Sequence, residues 1–401
     1  MNKTWWENLV IPLGVYLFML VVLFTGLRPY EGGDGLSEIW RTTYTIKNGW
    51  DWTVPDHNNA SLVLTVIAPY ISKTLHINPL NIFRDIFPFI FASTSVMLYF
   101  LFRRIISPGR ACFAAVFFAV LPPTYQEIPN IAKSMVAQPF AVGSLLVLFS
   151  GIRPSIRIPI GSLLILATAV NHYTIGIMLF IWLGFSVLVT RKKEFAIAVS
   201  VTGIMVLGYF YIAGGGAIVR SFVNIGAVPD HRSDNVVKAL KGEKFETYST
   251  ITDATNPPMT SAITNTSAVI SPVSQSPKTI LTTLKLYYPL KLPVRIPYQV
   301  RTLAIYLATV VLFAGGLYWL FHKKYLIEHK ELSAMIAFST VSVILAMYVP
   351  YLTRGLYLSR WVQLAGIPMC GLYGMATHWL PRKISYPVAS LILVLLLVLV
   401  R

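Results

Sequence analysis

Long uncharged apolar runs alternate with short polar turns along nearly the whole chain. Runs approaching spanning length fall near 8–27, 79–102, 109–122, 130–150, 157–170, 172–190, 195–213, 300–321, 332–351, 355–379 and 385–400. A helix needs about 20 apolar residues to cross the hydrocarbon core, and stretches such as 9–26 and 390–400 hold no charge at all. The pattern predicts an all-α fold: a polytopic transmembrane helical bundle of about eleven spans, forming a single domain over 1–401 with outer-face loops and interfacial helices. Several runs are shorter than a full span and are expected to tilt or to extend into protein-lined polar regions. The run 60–76 is broken by Pro69 and carries Lys73 and His76, so it reads as an interfacial helix.

The polar positions between the runs assign sides. Alternate turns are basic: Arg103-Arg104 with Arg110, Arg153 with Arg157, Arg191-Lys192-Lys193, Lys323-Lys324 with Lys330, and Arg382-Lys383. Positive residues are retained on the cytoplasmic face, which places the N-terminus inside and the C-terminus outside. Of the 16 acids, only Glu7, Glu194, Glu328 and Glu331 fall on that inner side. The rest fall outside, where two long segments lie near 28–78 and 214–299. The second is rich in Ser, Thr, Asn and Pro over 252–276 and reads as a lid-like loop. Chemistry is therefore expected on the outer face of the cell membrane.

Composition agrees. Hydrophobic residues make up 55% of the chain and charged residues only 12%, against about 25% charged in soluble domains. The net charge of +17 would suggest nucleic acid in a soluble protein. Here the basic residues sit between apolar runs and suit anionic membrane lipids or a phosphate-bearing lipid, with no nucleic acid implied. Cys112 and Cys370 lie inside apolar runs and read as small buried residues. No small-residue cleavage site follows the first apolar run, which reads as a retained anchor.

Four constellations offer chemistry. Directly after the first span comes Glu31-Gly-Gly-Asp34-Gly-Leu-Ser-Glu38-Ile-Trp40-Arg41. If 34–47 is helical, Asp34 and Glu38 share one face at i and i+4. They then serve as base and metal ligand, or as a coupled acid/base pair. The bland alternative is an amphipathic helix capped by Asp34, its acids solvated. The second is Pro122-Pro123-Thr124-Tyr125-Gln126-Glu127-Ile128-Pro129-Asn130 with Lys133 at the head of the next span. A cation at that depth needs a partner, either an anionic ligand or Glu127 in an ion pair that staples the loop. The third is Arg354, Arg360 and Gln363 around the start of the run 355–379. The planar fork of Arg360 fits phosphate oxygens, while snorkelling to the headgroups is the simpler explanation. The fourth is Asn171-His172-Tyr173-Thr174 in an outer turn, where His172 is a structural residue or a hydrogen-bond donor to substrate. His57, after Asp51 and Asp56, is a weaker candidate of the same kind.

In this order the four constellations resemble the GT-C superfamily of membrane glycosyltransferases, and more closely an archaeal family of multi-pass membrane proteins within it. The matching residues are Asp34 in the first outer loop, Tyr125-Gln126-Glu127 and Lys133 in the second, 78–88 before a span, and 353–363 late in the chain. The resemblance implies a sugar carried on a polyprenyl (dolichyl) phosphate or diphosphate, moved on the outer face to a protein, lipid or glycan acceptor. It implies Asp34 as catalytic base, with Glu127 and Glu38 beside it. Lys133, Arg354 and Arg360 are then expected at the donor phosphate, and His172, Tyr125 and Gln363 at the substrate. A divalent cation (Mg or Mn) held by Asp34 and Glu127 is a further expectation. The chain departs from the protein mannosyltransferases in having Asp34 and Glu38 instead of an adjacent Asp-Glu. Many members of the superfamily also carry a soluble outer domain after the last span, whereas this sequence ends at Arg401. A polysaccharide polymerase or ligase using lipid-linked glycans, with Arg220, Arg232 and Arg295 in its late loop, remains an alternative. A lipid or sugar transporter would favour internal repeats and mid-span charges, neither of which the sequence offers.

Overall fold

The structure, a computed structural model, describes residues 5–26, 34–51, 58–121, 124, 128, 131–209, 314, 316–318, 330–348 and 358–377. All belong to one compact unit formed by Met1–Ile225 with Val294–Arg401. The lid-like segment expected at 214–299 and the last run at 385–400 lie outside the described residues.

Every regular element among the described residues is helical. Helix α1 (Ile11–Gly26) is entered through a wide π-type turn at Trp6–Val10. Then come α2 (Asp34–Asn48), α3 (Ala68–Leu75) after a π-type turn at Val63–Ile67, and α4 (Phe87–Phe102). They are followed by α5 (Pro108–Val120), α6 (Ala132–Leu148), α7 (Pro154–Asn171), α8 (Tyr173–Thr190) and α9 (Lys193–Gly203). After the long undescribed stretch come α10 (Lys330–Tyr348) and α11 (Leu358–Ala376). Proline stands in the first turn of α5 and α7, where its missing N–H leaves no hydrogen bond unmade.

Over the described residues, the apolar runs from 8–27 through 195–213, and those at 332–351 and 355–379, fall on helices. Four described stretches are both long and apolar enough to cross a membrane: Trp6–Phe24, Pro79–Phe102, Pro154–Asn171 and Tyr173–Thr190. Pro108–Val120, Ala132–Leu148 and Leu332–Val343 are apolar but shorter. This is the build of a membrane protein. The stretch Val63–Leu75 is too short to span, as its sequence suggests. Its first half is buried at Val63, Leu64 and Thr65, while Tyr70 and Leu75 face outward.

Helix α6 occupies the centre. It packs on α4 and α7, and between 132 and 145 every residue except Phe140 is buried. A helix covered on all sides needs no polar face, so a charge on it must find its partner inside the protein. Around it, α1 packs on α4 and α5, α5 on α11, α11 on α10, and α10 on α8. The α5–α11 seam depends on small residues. A Cβ at Gly374 would stand 2.8 Å from the Arg110 carbonyl oxygen and 2.6 Å from Ile106 Cδ1, so only glycine permits this approach.

The turns sort onto two ends. One end collects the turns after α4, α6 and α8. There Arg103 forms an ion pair with Glu7 at 2.9 Å, and the Tyr99 hydroxyl donates to the Glu7 carbonyl at 2.8 Å. This is the end that the basic loops mark in the sequence. The other end carries the heads of α2, α6 and α8.

Candidate functional site

Helix α2 begins at Asp34, so Asp34 and Glu38 do lie one turn apart on a helix. The face that α2 turns into the protein is unusual. Glu38 and Thr42 are fully buried, and Arg41 and Thr45 are 6% and 4% exposed. The spacing 38, 41, 42, 45 is one helical stripe, and it is polar. Glu38 is thus not solvated, against the alternative of an amphipathic helix whose acids face water. Trp40 and Tyr44 stack at 5.5 Å beside that stripe, and the Arg41 guanidinium lies 5.0 Å from the Trp40 ring centre and 5.8 Å from that of Tyr44. Desolvated cation–aromatic contacts of this kind are worth about 2 kcal/mol.

Glu38 meets the head of the central helix. Its Oε1 is 3.4 Å from Lys133 Nζ, and its Oε2 accepts a long hydrogen bond of 3.4 Å from the Lys133 backbone N–H. The side chains of the pair are 0% and 5% exposed. A lysine in the first turn of a helix opposes the positive end of its dipole. The Glu38 carboxylate offsets both the ammonium and that dipole end. Lys133 Nζ also donates to Asn58 Oδ1 at 2.7 Å, and Asn58 Nδ2 reaches Ser37 Oγ at 3.5 Å. The residues 58–61 act as a hub. Ser61 Oγ donates to the Asn171 carbonyl at 2.7 Å, and the Tyr209 hydroxyl donates to the Ala60 carbonyl at 2.7 Å. Asn59 Nδ2 donates to the Asp51 carbonyl at 2.6 Å, and Trp50 Nε1 donates to the Asn59 carbonyl at 3.2 Å. Helix α2, the head of α6, the α7–α8 turn and the end of the helical stretch reaching Tyr209 are thereby tied together.

His172 lies in the α7–α8 turn, 6% exposed. Its Nδ1 accepts from the Thr174 backbone N–H at 3.2 Å, capping α8. Among the described residues, fully buried Thr42 Oγ1 and both side-chain polar atoms of Gln138 meet no hydrogen-bond partner. Unmet groups of this kind cost about 1–3 kcal/mol each.

The structure therefore brings Glu38 and Lys133 together and places Asp34 one turn away at the N-terminus of α2; the Asp34 side chain lies outside the described atoms. Arg360 and Gln363 fall in the first two turns of α11, and their side chains too lie outside the described atoms, as do Tyr125, Glu127 and Arg354 altogether. Among the described residues no group of three or more His, Cys, Asp or Glu side chains gathers. Glu38 does not fit a metal, because the Lys133 ammonium already stands against it. Two members of the site escaped the sequence. Asn58 carries no signal beyond its polar neighbours. Arg41 had one: it stands i+3 from Glu38, on the same helical face.

No protein-family model and no curated protein matches the chain. Among solved structures it is similar to the crystal structure of the Archaeoglobus fulgidus oligosaccharyltransferase in the apo form, with a TM-score of 0.51 and 12% identity over 99% of this chain and 56% of that one. A second structure, the archaeal oligosaccharyltransferase AglB from Archaeoglobus fulgidus in complex with an inhibitory peptide and a dolichol-phosphate, has a TM-score of 0.44 and 13% identity over 99% of this chain and 55% of that one. The chain spans little more than half the length of either. The first likeness is one of fold alone.

Proposed function

We propose that the chain is a membrane glycosyltransferase that moves a sugar from a polyprenyl-phosphate-linked donor to an acceptor hydroxyl or amide at the outer membrane face. The observation that carries this is the clamped helix α2 on a GT-C fold. A buried ion pair, Glu38 to Lys133, holds the helix whose first residue is Asp34 against the central helix of the bundle. A general base works only when held within hydrogen-bond reach of the proton it takes. A helix pinned one turn below its N-terminus supplies that rigidity.

In this mechanism the acceptor oxygen or nitrogen attacks the anomeric carbon. The bond from that carbon to the donor phosphate oxygen breaks, and its electron pair leaves with the phosphate. The acceptor's proton passes to the Asp34 carboxylate. Arg354 and Arg360 stabilise charge on the departing phosphate. Lys133 takes a different role from the one the motif suggests. Its ammonium is engaged by Glu38 and Asn58 and 4% exposed, so it positions α2 and leaves the phosphate to the arginines. Glu127, Tyr125, His172 and Gln363 would contact the acceptor and the sugar, and no step is routed through a metal.

The test is transfer of lipid-linked sugar from native-host extracts by the purified chain. Asp34→Asn keeps shape and removes basicity, so turnover should fall about 10²–10⁴-fold with donor binding unchanged. Wild-type turnover in Asp34→Asn would remove the base. Full activity in Asp34→Asn, Glu38→Gln and Glu127→Gln alike would remove the mechanism.

A further inference from the structure

Helix α9 runs on through a π-type stretch, Ile204–Tyr209, which packs on α7 and α8. From its last residue a side chain reaches back 149 positions along the sequence: the Tyr209 hydroxyl donates to the Ala60 carbonyl at 2.7 Å. Ala60 is fully buried, and its C=O shares a rigid peptide plane with the N–H of Ser61. That N–H donates to the Asn58 carbonyl at 3.2 Å and closes the turn 58–61. The 60–61 peptide is therefore held at both ends, by Tyr209 on its oxygen and by the Asn58 carbonyl on its nitrogen. The turn is fixed downstream as well. The Ser61 carbonyl accepts from the Leu64 and Thr65 N–H groups at 3.0 and 3.1 Å, and Ser61 Oγ donates to the Asn171 carbonyl at 2.7 Å. From the same turn the Asn58 side chain meets Lys133 Nζ at 2.7 Å, and that ammonium faces Glu38 of α2 at 3.4 Å. A buried carbonyl that loses its donor turns to find another. This one cannot turn without moving Asn58 and loosening the ammonium that grips α2.

We propose that Tyr209 is a positioning residue for the transfer reaction, acting through the 58–61 turn, Lys133 and Glu38 on the N-terminus of α2, where Asp34 stands. The catalytic half of this rests on the proposed transfer with Asp34 as base; the mechanical link from Tyr209 to α2 does not. Phenylalanine at 209 would fill the same space without the bond, which separates the hydroxyl from the packing of the ring.

The purified full chain is followed by hydrogen–deuterium exchange mass spectrometry and by sugar transfer. In Tyr209→Phe, exchange of the α2 amides should quicken about three- to tenfold, the worth of one hydrogen bond. Turnover should fall by a similar factor while the donor KM stays within about twofold. Tyr16→Phe removes a matching bond elsewhere, to the Phe89 carbonyl at 3.1 Å between α1 and α4, and should leave both α2 exchange and turnover unchanged. Asn58→Ala cuts the same route one step nearer α2 and should reproduce the exchange effect even if Tyr209→Phe folds poorly. The double variant Tyr209→Phe with Asn58→Ala should be no worse than the worse single, because both act through one turn. Losses that multiply, unchanged α2 exchange in Tyr209→Phe or in Asn58→Ala, or an equal rise in Tyr16→Phe overturn the link. Quickened α2 exchange with wild-type turnover overturns the positioning role. Quickened α2 exchange in variants of a chain whose wild type transfers no sugar supports the link and removes the transfer reading instead.

Discussion

The Glu38–Lys133 pair can be broken from either side, and the consequences differ in a way that tests the whole site. At 3.4 Å and an effective dielectric of 20, the attraction is about 5 kcal/mol. Desolvating each ion costs several kcal/mol, so the intact pair adds little net stability. Removing one partner leaves the desolvation cost standing. Glu38→Gln leaves the ammonium, among the described residues, with Asn58 Oδ1 as a close oxygen, and Lys133→Met takes the ammonium from a carboxylate that is 0% exposed. Each single change is expected to destabilise by about 3–5 kcal/mol and to lower the thermal midpoint by several degrees in detergent. The double change Glu38→Gln with Lys133→Met buries no charge and should recover most of that loss, with a coupling of about 2–3 kcal/mol. Thermal unfolding of the full chain by size-exclusion retention, wild type and all three variants side by side, gives the cycle. Sugar transfer measured on the same samples separates stability from chemistry. If Glu38 positions α2, the double variant should regain part of the turnover along with its stability. Single losses that simply add would show that the two charges do not meet. A stable but inactive double variant would make Glu38 itself a catalytic group and displace Asp34.

Three other outcomes are expected. Gly374→Val should cost about 1–3 kcal/mol, read as a lower thermal midpoint, because its Cβ meets the Arg110 carbonyl 2.8 Å away; an unchanged midpoint would mean that α5 and α11 are farther apart. Arg360→Ala should weaken donor binding more than Arg220→Ala, and Arg360→Lys should restore it only in part, since an ammonium lacks the planar two-bond contact; equal affinities in a donor titration would return Arg360 to snorkelling. A cysteine placed at 261 should react with an impermeant outer-face reagent and one placed at 192 should not; labelling of the second alone would invert the topology.

How far the sequence reaches is visible in particular residues. Apolar runs locate helices because only a helix satisfies its own backbone in lipid, so α1 and α4–α11 follow from hydropathy alone. The basic turns mark one end of the bundle, and the Glu7–Arg103 pair brings the N-terminal segment to that same end. Asp34 is the first residue of α2, where the sequence starts its helix. Partners are another matter. The sequence places Glu127 nearest to Lys133; among the described residues the carboxylate that reaches it is Glu38, 95 residues away. Local spacing governs helices, but a long-range contact depends on which helix ends up central. Helix α6 is buried all round, so Lys133 had to be matched from inside, and α2 could supply that match only by turning its polar stripe inward. His172 and Asn58 follow the same logic: one caps a helix and the other joins two elements. Hydropathy along the chain determines the elements and their ends, while the choice of partner for each buried charge comes from the packing of helices that the chain itself does not order.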